Sequence, residues 1–478
     1  MTGQITISTW LFILLLAIAI TAILDRVLIP STRWFLRRRI NRVIDEIGTR
    51  LDIQIRPFQL TKRQVLIDRL AYDPEVVEAI QDYAKQHDMP LEVVQNKVMT
   101  YAREIVPSFN AYLYFRTGYW IAKRIARLLY RVSVGLLQDE QYADIDPGST
   151  VVFVMNHRSN MDYVLVAFLA AERTTLSYAV GEWAKIWPLQ MLIRAMGAFF
   201  VRRKSENPLY RRVLERYIHM ATREGVCQAV FLEGSLSRDG RLNKPKLGLV
   251  DYMLRQFDMQ SDRDIFFIPV GINYDRTIED RSLVRALDPE AEKRSWWFIL
   301  RTTVNFIGRT LFLMMISRWR RYGYACVNFG TPVSIKNYCR EHRVNFSKLE
   351  RADRFPEVET LCKRLMKAIA DVVPILPLSL ASTVFLDAGD AGLDFKEIED
   401  RSNDLILRLQ ANGAPVLETP RSTRAHAIAD ALDHMLLRGM VASSGDIYRA
   451  VPENKTIMRY YANSIVHWQN DSRHHDAG

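Results

Sequence analysis

The middle of this 478-residue chain alternates short β-rich runs with helical stretches, and this alternation restricts its possible folds more than any other feature. Strands separated by helices predict an α/β fold with a mixed, largely parallel sheet flanked by helices on both faces. The strand-like runs are VVFVM (151–155), LSYAV (176–180), QAVFLE (228–233), IFFIPV (265–270) and ACVNFG (325–330). We therefore expect an α/β domain over residues 146–335.

The regions on either side of this domain have helical patterns, and the chain is too long for a single compact core. The segment Asp73–Asp88 opens with Asp-Pro, a favourable N-cap and first-position pair, and then spaces its apolar residues at helical intervals. The run YWIAKRIARLLYRVSVGLL (119–137) continues the pattern. Its basic residues fit either a membrane-surface face or a helix packed on its neighbour. We expect a helical N-terminal domain at 26–145 and a helical C-terminal region at 336–478.

The first 25 residues have the pattern of a membrane anchor. Residues 2–24 contain no charged side chain and are long enough to cross a bilayer of about 30 Å as a helix. Positive charge follows this stretch, at Arg26, Arg33, Arg37, Arg38, Arg39 and Arg42. The sequence therefore predicts a transmembrane anchor at 1–25 in the cell inner membrane, with the rest of the chain, including the α/β domain, on the cytoplasmic side. The alternatives are a cleaved export signal and a buried helix of a soluble domain.

A second apolar block covers residues 296–319. Arg301 and Arg309 lie inside it, away from its ends, and an arginine at the middle of a bilayer is costly. We therefore expect an interfacial helix here, and a membrane-spanning helix is the less favoured interpretation.

The net charge of +11, from 65 basic and 54 acidic residues, suits an anionic partner such as nucleic acid, an acidic lipid surface or a phosphorylated substrate. A generally basic solvated surface would give the same balance. The sequence contains no nucleic-acid recognition motif, so we expect no nucleic-acid partner. The four cysteines have neither CxxC nor Cys/His spacing, which indicates neither a disulfide framework nor a metal site.

The candidate catalytic residues follow the strand-like run VVFVM, in the segment Asn156–Asp162. Open α/β sheets bind ligands at the carboxyl ends of their strands, where His157 would lie. In one straight helix, five residues would separate His157 and Asp162 by roughly 140°. They can meet only if the chain turns between them, and Ser159 and Asn160 are suitable N-caps for a helix that begins there. A carboxylate behind an imidazole makes a general base that could activate an alcohol.

Cations follow the ends of two further predicted strands. GAFFVRR (197–203) ends with two arginines, and FLEGSLSRDGRLNKPKLG (231–248) presents Arg238, Arg241, Lys244 and Lys246. FIPVGINYD (267–275) ends another strand. If these ends converge on one cleft with His157, the cleft would suit an anionic substrate, because arginine binds phosphate bidentately and lysine binds it as a point charge. Solvated surface loops are the alternative.

NHRSNMDY, GAFFVRR, FLEGSLSRDGRLNKPKLG and FIPVGINYD resemble, in order and spacing, the four sequence blocks of the glycerolipid acyltransferases. The resemblance covers roughly residues 101–330. It implies that His157 is the base and Asp162 its orienting partner. It also implies a set of substrate-binding residues, namely Arg202, Arg203, Glu233, Gly234, Ser237, Arg238, Arg241 and Pro269.

The third block departs from the family pattern at Leu236, where an arginine that contacts phosphate is expected. Losing one charge-assisted contact costs about 1.5–3 kcal/mol. The expected reaction is transfer of a fatty acyl group from acyl-CoA or acyl-carrier protein to sn-glycerol 3-phosphate at a phospholipid membrane, with no cofactor and no metal. Because of Leu236, lysophosphatidate or another lysolipid stays open as the acceptor. A lipid-binding or scaffold protein without activity is the remaining interpretation.

Overall fold

The computed structural model describes residues 57–110, 114, 118–135, 142, 145–170, 176–181, 189–202, 205–260, 263–288, 321–417 and 421–469. The predicted anchor at 1–25 and the apolar block at 296–319 lie outside the described residues, and both stay predictions. Among the helices within those ranges, none is both long enough and apolar enough to cross a membrane.

The described part of the chain before the first strand is helical. It contains α1 (Pro57–Leu60), α2 (Arg63–Ala71), α3 (Pro74–His87), α4 (Leu91–Ile105) and α5 (Tyr119–Leu129). Helix α3 begins as its sequence predicts, because the Asp73 side chain accepts a hydrogen bond from the backbone N–H of Glu75 at 3.1 Å. The first-turn proline, Pro74, has no backbone N–H that would need a partner.

The main sheet has eight strands within the described residues. They are β1 (Arg131–Gly135), β2 (Thr150–Met155), β3 (Ser177–Val180), β4 (Phe199–Phe200), β5 (Gln228–Phe231), β6 (Ile265–Tyr274), β7 (Tyr324–Phe329) and β8 (Val333–Ser334). Their order is β1-β7-β6-β2-β5-β3-β4, and β8 pairs with the first half of β6. Strands β6, β2, β5, β3 and β4 run parallel, whereas β7 and β8 run antiparallel to β6. The predicted mixed, largely parallel sheet is confirmed.

Helices cover both faces of this sheet. Those that follow the strands are α6 (Met161–Ala170), α7 (Leu189–Ala195), α8 (Pro208–Arg223), α9 (Gly248–Leu254) and α10 (Asp280–Arg285). Apolar residues of α5 and α6 form one core with one sheet face, and residues of α2–α4, α8 and α9 form the other. The carboxyl ends of the five parallel strands therefore share one open edge.

Strand β1 occupies a stretch that the periodicity assigns to a helix. The predicted helix over 119–137 ends at Leu129, and Tyr130 adopts an extended conformation. The residues that follow pair in parallel with β7, from Arg131 opposite Tyr324 to Gly135 opposite Asn328. Pairing with a strand almost 200 residues away overrides the local pattern, because strand preference depends mainly on what a segment packs against.

The C-terminal region is helical except for one hairpin. It contains α11 (Ile335–His342), α12 (Arg351–Ala370), α13 (Pro377–Ala388), α14 (Phe395–Ala411), α15 (Arg421–Leu437), β9 (Val441–Ser444), β10 (Ile447–Ala450) and α16 (Lys455–Ala462). Strands β9 and β10 are antiparallel, and Gly445 in the two-residue turn between them has a positive φ. Such a turn requires that conformation, which glycine adopts without strain. The C-terminal region predicted to be helical therefore also contains a β-hairpin at 441–450.

The C-terminal region packs closely against the α/β domain. A Cβ atom added at Gly271 in β6 would lie 2.4 Å from the backbone oxygen of Val372, and one added at Gly240 would lie 1.8 Å from that of Tyr460. The buried Asn273 side chain donates hydrogen bonds to the carbonyl of Pro374 and to the hydroxyl of Ser464. Backbone contacts this close place the C-terminal region directly beside the carboxyl ends of the strands.

Candidate active site

His157 and Asp162 meet at the carboxyl end of β2, as the sequence predicts. His157 is two residues beyond the strand, and Asp162 lies in the first turn of α6. The turn forms because the Ser159 hydroxyl accepts a hydrogen bond from the backbone N–H of Met161 at 3.1 Å, which begins the helix. The imidazole Nδ1 and carboxylate Oδ2 are then 2.8 Å apart, and both side chains are buried.

The Asp162 carboxylate is fully occupied as an acceptor. Besides the imidazole, Oδ2 accepts from the backbone N–H groups of Arg158 and Ser159, at 2.7 and 3.1 Å. Oδ1 accepts from the hydroxyl of Tyr274 at 2.7 Å. A group that receives four hydrogen bonds behaves as an ionised carboxylate, and it forces Nδ1 of His157 to be the protonated nitrogen.

The other ring nitrogen of His157 is therefore the basic one. Nε2 is buried and has no hydrogen-bond partner among the described residues. The ring is held between two aromatic side chains: it stacks on Phe231 at a centroid distance of 4.0 Å and meets Tyr163 edge-on at 5.5 Å. This arrangement fixes the ring and leaves one unprotonated nitrogen able to accept a proton.

Glu233 joins the first block to the third. One carboxylate oxygen accepts from the backbone N–H of His157 at 2.9 Å, and the other accepts from that of Asn243 at 2.7 Å. Burial raises the pKa of this carboxyl, and the Arg158 charge and the two N–H donors partly offset that rise. These two hydrogen bonds go to backbone N–H groups, one beside the base and one in the third block, so Glu233 holds these two segments together.

The other third-block residues divide into a buried group and an exposed group. The Ser237 hydroxyl is buried and organises its own turn: it donates to the carbonyl of Arg241 and accepts from the backbone N–H of Gly240. The backbone N–H of Ser237 also donates to the carbonyl of His157 at 3.0 Å. Arg238 and Arg241 are exposed, and Gly234 has a positive φ of 69° in the turn after β5.

The structure gives Arg202 a carboxylate partner outside the dyad. Its guanidinium makes two hydrogen bonds, at 2.9 and 2.6 Å, to Glu104 in α4. It also lies over the rings of Tyr101 and Tyr210. Arg202 follows β4, on the same sheet edge as His157 but three strands away from β2. The neighbouring Arg203 lies outside the described residues.

Pro269 does not lie at the end of its strand. It is buried within β6, opposite Val154 of β2. The β6 residues before Pro269 pair with β8, and those after it pair with β7. Pro269 pairs with neither of these two strands, so its missing N–H removes no hydrogen bond on that side of β6. Within the described residues, Pro269 has no contact with the dyad that would support its predicted substrate-binding role.

Two residues beside the dyad were not among the predicted site residues. Tyr274, the last residue of β6, donates to Asp162, and Glu279 accepts from the Ser159 hydroxyl and the backbone N–H of Asn160. Tyr274 stands within the fourth block, FIPVGINYD, so its position could have been a signal. Glu279 lies beyond that block, and the sequence offers no marker for it. No group of three potential metal ligands occurs in the described ranges.

Two protein-family models match this chain in succession. A model described as "Acyltransferase" matches residues 137–273, which include the dyad and the third block. A model described as "Glycerol-3-phosphate acyltransferase C-terminal region" matches residues 310–469, which include the helical region packed beside the dyad.

The chain is also similar to proteins named glycerol-3-phosphate acyltransferase. It is 28% identical over 423 residues to the one from Pseudomonas entomophila, an alignment that covers 85% of this chain and 49% of the relative. It is 27% identical over 441 residues to the one from Pseudomonas paraeruginosa, covering 90% of this chain and 51% of the relative. The chain spans about half the length of these curated relatives.

Among solved structures, the crystal structure of 1-acyl-sn-glycerophosphate (LPA) acyltransferase from Thermotoga maritima matches 53% of this chain and 78% of that chain. The TM-score is 0.29 at 17% identity, too low for any argument about fold or function. The family relationship depends instead on the two successive family models and the named relatives, which agree with the four blocks and with the dyad. Over these ranges the chain is similar to the glycerolipid acyltransferases.

Proposed function

We propose that this chain transfers a fatty acyl group from acyl-CoA or acyl-carrier protein to sn-glycerol 3-phosphate, giving lysophosphatidate for phospholipid synthesis. One observation carries the proposal. His157 pairs its Nδ1 with the Asp162 carboxylate at 2.8 Å and has a buried Nε2 with no partner in the described part of the chain. The names of the relatives supply the reaction for which such a base would be used.

In the proposed step, His157 Nε2 takes the proton of an acceptor hydroxyl as that oxygen attacks the thioester carbonyl of the donor. The imidazolium is stabilised by Asp162, 2.8 Å from Nδ1. The tetrahedral intermediate then expels the donor thiolate, which takes the proton back from Nε2. The products are an ester and a free thiol, and the base is regenerated. General-base catalysis of this kind contributes about 10²–10⁴-fold in rate.

Direct transfer is favoured over an acyl-enzyme because the chain has no G-x-S-x-G segment that would present an activated serine. Ser159 lies two residues from His157, but its hydroxyl donates to Glu279 and caps α6. It is therefore already used for structure. The proposal includes no metal and no cofactor; the acyl thioester is a co-substrate.

Two observations concern the acceptor. Leu236 stands where the family pattern has an arginine, and Arg202 is paired with Glu104. Because of these observations the alternative acceptor, lysophosphatidate or another lysolipid, stays open, and the dyad itself does not distinguish between acceptors. The third block has two exposed arginines, Arg238 and Arg241, two and five residues after Leu236, followed by the exposed Lys244 and Lys246, and these cations could bind the acceptor phosphate.

The experiment is an acceptor panel. Membranes that contain the chain receive one labelled long-chain acyl-CoA with glycerol 3-phosphate, glycerol, lysophosphatidate or another lysolipid in turn. We expect label in lysophosphatidate with the first acceptor and no transfer by the His157→Ala variant. His342→Ala, which changes an exposed histidine on α11 far from the dyad in the chain, is the control and should keep wild-type activity. Transfer to a lysolipid alone would favour the alternative, and transfer to no acceptor would refute the acyltransferase activity.

A second variant tests the role of position 236. If glycerol 3-phosphate is the acceptor, Leu236→Arg should restore a phosphate contact and lower its KM by about 10- to 100-fold, the equivalent of 1.5–3 kcal/mol. An unchanged KM would mean that the acceptor phosphate does not approach this position.

We further propose that the reaction takes place at the cytoplasmic face of the inner membrane. The uncharged stretch at 2–24 and the arginines after it support this location. A long-chain acylated product also partitions into the bilayer. Fractionation of cells that express the full chain, compared with a variant that lacks residues 1–25, would test whether this stretch is needed for membrane attachment.

A further inference from the structure

Glu279, a half-buried carboxylate just beyond β6, makes its described hydrogen bonds to the catalytic loop. We propose that Glu279 is a positioning residue for the His157–Asp162 dyad, and that the C-terminal region holds Glu279 in place. The kinetic part of this inference rests on the proposed acyl transfer; the structural part does not.

The contacts of Glu279 lie on the turn that brings the dyad together. One carboxylate oxygen accepts from the Ser159 hydroxyl at 2.8 Å, and the other accepts from the backbone N–H of Asn160 at 3.2 Å. These two residues lie between His157 and Asp162, and the dyad depends on the chain turning there. Glu279 therefore fixes the loop from one side while Asp162 binds it from the other, through the N–H groups of Arg158 and Ser159.

The carboxylate is not explained by an ion pair. Within the described residues Glu279 forms no salt bridge, and its position beside Asp162 places two carboxyl groups near each other. Burial raises the pKa of Glu279, and the hydrogen bond from Ser159 is the largest effect that opposes this rise. Its role is therefore to accept the loop's donors, including an N–H at the start of α6 that has no partner within the helix.

The segment that carries Glu279 is held by the C-terminal region. The next residue, Asp280, pairs with Arg438 at 2.5 Å and accepts a hydrogen bond from the Tyr461 hydroxyl. That hydroxyl also accepts from the backbone N–H of Thr277 at 3.2 Å and from Arg438 at 3.1 Å. Residues 277–280 are thus bound at both ends by residues from just after α15 and from α16.

These contacts form a continuous path from the C-terminal region to the base. Arg438 and Tyr461 hold Asp280, the adjacent Glu279 holds Ser159 and Asn160, and the turn that they form holds Asp162 against His157. Glu279 acts through the loop and not on the substrate. Its loss should therefore change turnover and leave the binding of both substrates unchanged.

The test compares three variants with a matched control. Glu279→Ala should lower kcat by about 10- to 100-fold with unchanged KM for acceptor and donor, because a catalytic group misplaced by about 1 Å costs on that order. Glu279→Gln keeps an oxygen for Asn160 and a group that can bond Ser159, so it should keep most of the wild-type kcat. Tyr461→Phe should lower kcat in the same direction but less. Glu215→Ala changes a buried acid of α8 paired with arginines, and should keep the wild-type kcat.

Amide hydrogen exchange of the purified full chain gives a readout independent of activity. In Glu279→Ala, exchange should rise in the peptide that contains residues 156–163, because the Asn160 N–H loses its acceptor. Glu215→Ala should not change exchange in that peptide. Tyr461→Phe should raise exchange at Thr277, and no change there would remove the C-terminal region from the inference.

Three results would overturn the role of Glu279: a wild-type kcat in Glu279→Ala, a change confined to KM, or a loss of kcat as large in Glu279→Gln as in Glu279→Ala. If the wild-type chain transfers acyl groups to no acceptor, the proposed function fails instead. Hydrogen exchange then decides alone, and unchanged exchange at 156–163 in Glu279→Ala would refute the inference.

Discussion

Replacing Asp162 by asparagine would remove one negative charge from the dyad and change little in its shape. Asparagine has nearly the same size, and its amide oxygen can still accept from His157, Arg158 and Ser159 in place of Oδ2. The amide nitrogen would then face the Tyr274 hydroxyl, which can rotate to accept a hydrogen bond. The variant therefore tests the charge separately from the geometry.

The size of the effect follows from the distance between the two charges. With Nδ1 and Oδ2 at 2.8 Å, the centres of the imidazolium and the carboxylate are roughly 4 Å apart. At an effective dielectric constant of about 20, their attraction is about 4 kcal/mol. That energy is available only when the imidazole has taken the proton, so losing it should lower kcat by roughly 10³-fold. This lies within the range of about 10²–10⁴ for general-base catalysis.

The assay measures kcat with saturating labelled acyl-CoA and the acceptor that the panel identifies. The amount of folded protein in each membrane preparation is measured beside it. Asp251→Asn provides the control, because Asp251 is equally buried and paired with Arg354 and Arg255 but lies on α9. That variant should lose stability and keep its turnover.

A kcat within ten-fold of wild type for Asp162→Asn would refute the charge argument. It would mean that the carboxylate only shapes the loop, through its bonds to the backbone. An equal loss in the Asp251 control would show that the assay reports folding instead of catalysis.

Three further variants test the surroundings of the dyad. Tyr274→Phe removes a hydroxyl that donates to Asp162 at 2.7 Å; unfolding in urea should show a loss of about 1.5–3 kcal/mol, and no loss would mean that this bond contributes nothing. Burial raises the pKa of Asp275 to about 6, above its unfolded value of about 3.9. The folded state therefore holds the proton more tightly than the unfolded state, and the stability that this provides is complete below pH ~4 and is lost as the pH rises through ~6. Asp275→Asn should abolish that decline, on the order of 2–3 kcal/mol, when unfolding is measured from pH 4 to 7; a persisting decline would assign it to another group. Gly240→Ala places a Cβ 1.8 Å from a backbone oxygen of α16, whereas Gly413→Ala has a similar positive φ with nothing within 4 Å. The Gly413 variant should lose about 1–2 kcal/mol of stability from backbone strain alone, and the Gly240 variant should melt at a clearly lower temperature. Equal melting temperatures would contradict the close packing.

The sequence by itself determined the central sheet and the two residues of the dyad. The strand-like runs are continuous in the chain, and five of the sheet's strands in the described residues coincide with them. The dyad could also be predicted, because Asn156–Asp162 follows a strand and contains its own helix cap. Local patterns of this kind depend on neighbours within a few residues, which a sequence displays directly.

Other elements could not be predicted, because they depend on distant partners. Strand β1 has a helical pattern on its amino-terminal side and becomes a strand by pairing with β7. Strand β4 is two residues long and pairs with β3 at Ala179 and Val180. Hairpin β9–β10 is short and lies within a region whose sequence pattern is otherwise helical.

The tertiary structure alone decided how the other site residues are used. Glu233 binds the backbone of His157, and Arg202 binds Glu104, although the sequence presents both as free polar groups at strand ends. Glu279 and Tyr274 reach the dyad from more than 100 residues away. A buried polar group must find a partner, and which group it finds depends on the folded arrangement of elements distant in the chain. The sequence therefore shows which polar side chains are present, whereas the fold decides which groups they bind.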